Sequence, residues 1–437
     1  MVATDLSREG RALEYQALAE REALRQPSLA GVTPRTIEEI AVIGAGTMGS
    51  GIAIAALDAG FFVVLLEQDH AALARGWDRI HNHYAGRVQK EKRTSTDAAQ
   101  REERLRATTD WDDLASADLV IEAVFEELDV KREVFARIDR IAKPDAVLAT
   151  NTSYLDVDAI ARATSRPEAV IGLHFFSPAN VMRLVEVVRG AASTPVALAT
   201  GLAVAGRMRK LPVIAGNAFG FIGNRVFSAY RRQCEFMIEE GASPAQVDAA
   251  LQSFGFAMGA FAVADLAGLD IAWRIRKSQA ATRDRAARYV HIPDRLCEAG
   301  RLGRKTGAGY YRYESGGKEP LDDPFVSELI ERCGAEKGIV RRALTDLEIQ
   351  RRALLTMVNE AALLVGVGVA ERATDVDVVL ANGYGFPRGQ GGPVFWARAQ
   401  APERGRDALE RDLDWLAEKS GPGFVRGDVR HLMEKSS

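Results

Sequence analysis

The chain of 437 residues has only three cysteines, Cys234, Cys297 and Cys333. They are odd in number, widely spaced and outside any CxxC or Cys/His arrangement, which argues against a disulfide framework or a zinc site, and no metal is expected. Reduced thiols suit a reducing compartment, so a cytoplasmic location is expected. No stretch of about 18 uninterrupted strongly apolar residues occurs, and the first twenty residues, rich in Arg and Glu, hold no secretory apolar segment. Neither a membrane span nor export is expected, and the terminal Glu-Lys-Ser-Ser is not a peroxisomal Ser-Lys-Leu signal. A dominant charge is missing too. With 57 basic against 60 acidic residues the net charge is -3, so no global basic field supports a nucleic-acid partner.

What is present is the balance of a soluble globular protein, 47% hydrophobic and 27% charged, in a chain long enough for two or three domains. Residues 7–26 read as an amphipathic helix stopped by Pro27-Ser28, so residues 1–36 form a helical leader or linker. From Ile40 onward short apolar runs alternate with helical stretches: Ile40 to Ile43, Phe62 to Leu66, Leu119 to Ala123, Ala146 to Ala149, Ala169 to Leu173 and Arg183 to Val188. That alternation predicts an α/β domain with a parallel, doubly wound sheet over residues 37–215. The polar insertion of residues 74–108, with Lys90-Glu91-Lys92-Arg93 at its centre, reads as a helical hairpin standing off the sheet. It is either a solvated pair of helices or a basic lip for an anionic ligand.

After Gly216 the spacing of apolar residues is helical. Phe254-Gly255-Phe256 with Gly259 recurs 130 positions later as Tyr384-Gly385-Phe386 with Gly389, which predicts two copies of one helical domain, residues 216–315 and 316–437.

The first apolar run leads directly into Gly44-Ala45-Gly46-Thr47-Met48-Gly49 and then a helix. In that context Gly44 permits a tight turn, Gly46 admits a pyrophosphate to the backbone, and Gly49 lets the helix pack on the sheet. The helix N-terminus offers unpaired N–H groups and its dipole to phosphate charge. Glu67, eighteen residues after Gly49 at the end of the second run, can accept hydrogen bonds from an adenosine ribose and would repel a 2′-phosphate, so NAD is the expected cofactor. His174 ends another apolar run at the sheet edge where ligands bind. Glu186, inside Leu184-Val185-Glu186-Val187-Val188, is a strand carboxylate that needs a partner when buried. A carboxylate on one ring nitrogen would leave the other free to take a proton.

These segments, together with Thr150-Asn151-Thr152-Ser153, His174-Phe175-Phe176-Ser177-Pro178, Gly220-Phe221-Ile222-Gly223-Asn224-Arg225, Asp265-Leu266-Ala267-Gly268-Leu269-Asp270, Gly303-Arg304-Lys305-Thr306-Gly307 and Gly383-Tyr384-Gly385-Phe386-Pro387, resemble the 3-hydroxyacyl-CoA dehydrogenase family. The likeness is strongest to the dehydrogenase part of the peroxisomal-type bifunctional enzyme of fatty-acid β-oxidation, and runs from about Ile37 almost to the C-terminus. It implies a Rossmann-type domain followed by two all-α C-terminal-type repeats of that family. The implied activity is oxidation of an (S)-3-hydroxyacyl-CoA by NAD, with His174 as base and Glu186 orienting it. Ser153 and Asn224 are implied to hold the substrate oxygen, and Met48, Glu67, Val124, Glu126, Lys131 and Ser153 to join Gly44, Gly46 and Gly49 around the cofactor.

Fewer than forty residues precede the first apolar run, so the enoyl-CoA hydratase half of such enzymes, and its activity, are expected to be absent. Relatives with one helical repeat pair two chains through it, which makes a monomer or weak dimer the expectation for a tandem copy. Two other readings stay open: a catalytically silent structural protein, like the lens crystallin that resembles this family, and a dehydrogenase of a free hydroxy acid on the same fold.

Overall fold

The computed structural model describes residues 7–314 and 317–433. Helix α1 (Arg8–Ala23) is followed by eight strands, β1 (Glu39–Ile43), β2 (Phe62–Leu66), β3 (Leu105–Thr108), β4 (Leu119–Glu122), β5 (Val147–Thr150), β6 (Val170–Phe175), β7 (Leu184–Arg189) and β8 (Leu211–Gly216). Between them run α2 (Thr47–Asp58), α3 (His70–Gln89), α4 (Ser95–Glu102), α5 (Leu128–Ile141), α6 (Val157–Ala161) and α7 (Pro195–Arg207). The rest is helical: α8 (Gly223–Glu240), α9 (Pro244–Phe254), α10 (Ala260–Ala267), α11 (Leu269–Ser278), α12 (Ile292–Glu298), α13 (Pro324–Glu336), α14 (Asp346–Gly366), α15 (Ala373–Gly383), α16 (Pro393–Arg404), α17 (Arg406–Ser420) and α18 (Arg430–Met433).

The strands form one sheet in the order β3-β2-β1-β4-β5-β6-β7-β8. Helices cover both faces of a doubly wound sheet, so its central strands are buried throughout and read as unbroken apolar runs; β4 and β5 show no exposed residue. Two strands were not among the apolar runs read from the sequence. β3 lies at the sheet edge, four residues long and only partly buried, so it carries little apolar signature. β8 pairs parallel with β7 at the other edge. The sheet is also not wholly parallel, because β7 runs antiparallel to β6 and thereby sets His174 directly opposite Glu186.

The insertion forms α3 and α4 as expected, but it does not stand off the sheet. Ile80, Tyr84 and Ala98 join the main apolar core, and Arg93 and Arg101 both bind Asp58 at the end of α2 and Asp97. Arg93 is thus engaged within the fold and is not part of a free basic lip.

The chain divides into two compact units whose limits differ from the four expected segments. One comprises Gln16–Asn224 with Val367–Tyr384; the other comprises residues up to Tyr15, Arg225–Gly366 and residues from Gly385 on. In the sheet unit, the stretch after Val367 joins the β8 edge, where the Gly216 N–H donates to the Val369 carbonyl at 2.8 Å. α15 then packs on β7, with Gly383 so close to Leu184 and Phe176 that an added Cβ would lie 2.6 Å from the Leu184 side chain. The second half of α1 is docked here rather than serving as a linker: Arg372 donates to the carbonyls of Glu22 and Arg25, and Asn382 to Glu20.

In the helical unit α9 packs against α14. Asp248 accepts the N–H groups of Phe261 and Ala262, so it caps α10, and it also takes the Tyr311 hydroxyl at 2.8 Å. The anticipated duplication has a structural counterpart: a long helix, an eleven-residue helix and an aromatic-Gly-Phe turn occur as α8-α9 and again as α14-α15. No helix among the described residues is long and apolar enough to cross a membrane.

Candidate active site

The turn from β1 into α2 is built on glycine for steric reasons. Gly44 has φ +100°, and a Cβ there would lie 2.7 Å from the Ala123 carbonyl oxygen; at Gly49 it would lie 1.7 Å from the Gly44 carbonyl oxygen. Gly46 is different, since nothing stands within 4 Å of the place its Cβ would occupy. Gly46 is also the N-cap of α2 and supplies no side-chain acceptor. An open approach, an uncapped helix start and the end of β2 therefore converge, which is the donor set a dinucleotide pyrophosphate needs. Glu67 stands beside the turn, accepting the Ala45 N–H at 3.0 Å and the Gln68 N–H at 2.8 Å. Met48 is partly buried against the sheet core. These residues fit an NAD cofactor.

The loops after β4 and β5 are tied together by two carboxylates. Glu122, fully buried, accepts Lys131 Nζ at 2.6 Å, the Thr150 hydroxyl at 2.7 Å and the Val124 N–H at 2.7 Å. Burial pushes its carboxyl above the usual range while the Lys131 charge pulls it back. Glu126 accepts the Thr152 hydroxyl at 2.5 Å and the Ser153 N–H at 2.7 Å. Lys131 is fully buried between these acids, 3.5 Å from Glu126, and presents no exposed ammonium. Its place is inside the fold, holding both loops.

His174 Nδ1 lies 2.8 Å from Glu186 Oε2, and both side chains are buried. The other oxygen, Oε1, accepts the N–H groups of Ile222 and Gly223 at 3.0 and 3.1 Å, at the start of α8. A helix start thus supplies positive partial charge and two donors to a carboxylate that water does not reach. The imidazole packs on Phe176 and Phe221 with centroids 4.5 and 5.7 Å apart, and its Nε2 makes no hydrogen bond among the described residues. Asn224, one residue on in α8, donates from Nδ2 to the Ser153 carbonyl at 3.3 Å and accepts the Tyr384 hydroxyl at 2.9 Å. So His174 with Glu186, and Ser153 with Asn224, are two linked pairs. The N–H groups on Glu186 precede Asn224 directly.

Residues 39–218 match the family described as 3-hydroxyacyl-CoA dehydrogenase, NAD binding domain, and residues 220–313 match the 3-hydroxyacyl-CoA dehydrogenase, C-terminal domain. The chain also covers all of the (S)-3-hydroxybutyryl-CoA dehydrogenase structure from Ralstonia eutropha, with 33% identity and a TM-score of 0.58 over 64% of its own length. The protein belongs to the 3-hydroxyacyl-CoA dehydrogenase family. A second family member of known structure, the 3-hydroxybutyryl-CoA dehydrogenase of Escherichia coli, matches at 28% identity and a TM-score of 0.73, covering 89% of this chain and 97% of that one. Among curated family members, the peroxisomal bifunctional enzyme of Danio rerio is 40% identical over 92% of this chain, which spans 58% of that enzyme's length.

These relatives overturn the expected cytoplasmic location, because curated family members similar to this chain are named as peroxisomal or glyoxysomal enzymes. Absence of an export segment and of paired cysteines does not discriminate between cytosol and such an organelle.

Sequence reasoning assigned no role to Glu122, although it lies in the run Leu119 to Ala123, and gave Tyr384 no role beyond the repeat and a family-like segment. The flanking Gly383 was the available signal, since a glycine beside a large ring permits close backbone approach, here to Leu184 and Phe176.

Proposed function

We propose that this protein interconverts an (S)-3-hydroxyacyl-CoA and the 3-oxoacyl-CoA, with NAD as cofactor and His174 as the base. The observation that carries the reading is the buried His174–Glu186 pair, with both carboxylate oxygens engaged and Nε2 making no hydrogen bond among the described residues. Glu186 on Nδ1 selects the tautomer protonated there, so Nε2 keeps a lone pair for the 3-hydroxyl proton. The adjacent charge then stabilises the imidazolium. Asn224 has a second amide N–H beyond the one on Ser153, and the Ser153 hydroxyl makes no hydrogen bond among the described residues. In this reading both hold the substrate oxygen as it becomes a carbonyl.

NAD, when bound, supplies the hydride acceptor. Gly44, Gly46, Met48, Gly49 and Glu67 hold it on the α2 side, and Val124, Glu126 and Ser153 on the β4–β5 side. Lys131 serves that second group from within, by fixing Glu122 and Glu126. The acyl-CoA class rests on the family and on the activities named for its E. coli and R. eutropha members.

The test is NADH consumption with acetoacetyl-CoA by wild type and His174→Ala. The variant should lose roughly 10²- to 10⁴-fold in kcat. No wild-type turnover, or full turnover in the variant, would refute the reading.

A further inference from the structure

Asn224 bears a planar amide whose two ends have opposite roles, and only one orientation is useful if it is to donate to a ligand. The Ser153 carbonyl can only accept, so the amide nitrogen must face it and Oδ1 must face Tyr384. At 2.9 Å from that oxygen, the Tyr384 hydroxyl must then be the donor. Burial, followed by the nearby Glu186 charge, pushes this phenol well above its ordinary range, so it keeps its proton at any working pH.

The ring is fixed as firmly as its hydroxyl. It meets Phe176 edge-on at 5.5 Å, and Phe176 in turn packs on the His174 imidazole at 4.5 Å. Gly223 makes room for it, since a Cβ at that position would fall 2.1 Å from the ring. Tyr384 enters because α15 packs on β7, so this residue of the second helical copy is held within the sheet unit together with Ser153, His174 and Asn224.

Resting on the reaction proposed above, we infer that Tyr384 is a positioning residue: its hydroxyl locks the Asn224 amide so that one N–H stays available for the substrate oxygen. Removing the hydroxyl leaves only the 3.3 Å hydrogen bond to the Ser153 carbonyl to orient the amide, so the useless orientation becomes partly populated. Tyr384→Phe keeps the ring and removes the hydroxyl that donates to Asn224 Oδ1. Its kcat with acetoacetyl-CoA should fall about three- to tenfold, the range expected for one hydrogen bond. KM for NADH should not change, and the melting temperature should stay within about 2 °C.

In an Asn224→Ala background the same substitution should have no further effect on kcat, a result that a merely structural role would not produce. Wild-type kcat in Tyr384→Phe, or an equal loss in both backgrounds, would overturn the inference. Failure of the underlying reaction is seen separately, as absent wild-type turnover or full turnover in His174→Ala, and the inference would fall with it.

Discussion

Replacing Glu186 by glutamine changes almost no volume and poses a hydrogen-bond problem with one solution. The carboxylate accepts two backbone N–H groups on Oε1, at 3.0 and 3.1 Å, and His174 Nδ1 on Oε2, at 2.8 Å. Glutamine has one oxygen. If that oxygen stays on the Ile222 and Gly223 N–H groups, the amide nitrogen faces Nδ1 and can only donate to it, which forces the imidazole into the tautomer protonated on Nε2. The opposite orientation sets two donors against two donors in a buried site, at a cost of about 1–3 kcal/mol for each unsatisfied group, and is disfavoured. His174 then presents a proton where a lone pair is needed.

A wrong tautomer in a comparable carboxylate–histidine pair costs about 10⁴-fold. The expected loss in kcat for Glu186→Gln is therefore roughly 10³- to 10⁴-fold, or about 4–5.5 kcal/mol of transition-state stabilisation. The fold should survive, because every donor around residue 186 retains an acceptor or is replaced by one. Steady-state NADH consumption with acetoacetyl-CoA and thermal unfolding, measured on the same preparation, separate the two effects. A Glu186→Gln enzyme within tenfold of wild-type kcat, or one lost only through unfolding, would refute the tautomer argument.

Glu67→Ala should lower the preference for NADH over NADPH, as a ratio of kcat/KM values, by about tenfold or more, because the carboxylate that would repel a 2′-phosphate is gone; an unchanged ratio contradicts this role. Gly44→Ala should weaken NADH binding in a fluorescence titration and lower the melting temperature, since φ +100° and the 2.7 Å approach to the Ala123 oxygen both oppose a side chain. Burial pushes the Asp248 carboxyl up to about 6. A raised acid favours the folded state most while protonated, at and below its unfolded pKa, and that contribution is lost as pH rises through about 6. Tyr311→Phe, which removes a donor to the ionised form, should therefore destabilise the protein more at pH 8 than at pH 5 in urea unfolding, by about 1–2 kcal/mol, and equal losses would refute the assignment. Light scattering should report a monomer or a weak dimer, and an obligate tight dimer would contradict that proposal.

The local parts of this protein were legible in the residues themselves. A strand, a Gly44-Ala45-Gly46-Thr47-Met48-Gly49 turn and a helix are consecutive in the chain, so steric rules acting over a few residues suffice to read them. His174 at a strand end and a buried strand carboxylate at Glu186 needed only the burial cost of charge to be matched with each other. Edge strands escaped, because β3 is short, partly buried and without an apolar run. The antiparallel turn between β6 and β7, which sets His174 opposite Glu186, is a matter of register, and register depends on which strands become neighbours. The backbone donors on Glu186, the buried Lys131 between two acids, and Tyr384 on Asn224 come from positions 36, 9 and 160 residues away. Pairings over such distances follow from how the turn at Ile222 and Gly223, α5 and α15 meet the sheet, a consequence of burying many apolar faces at once that no short pattern records.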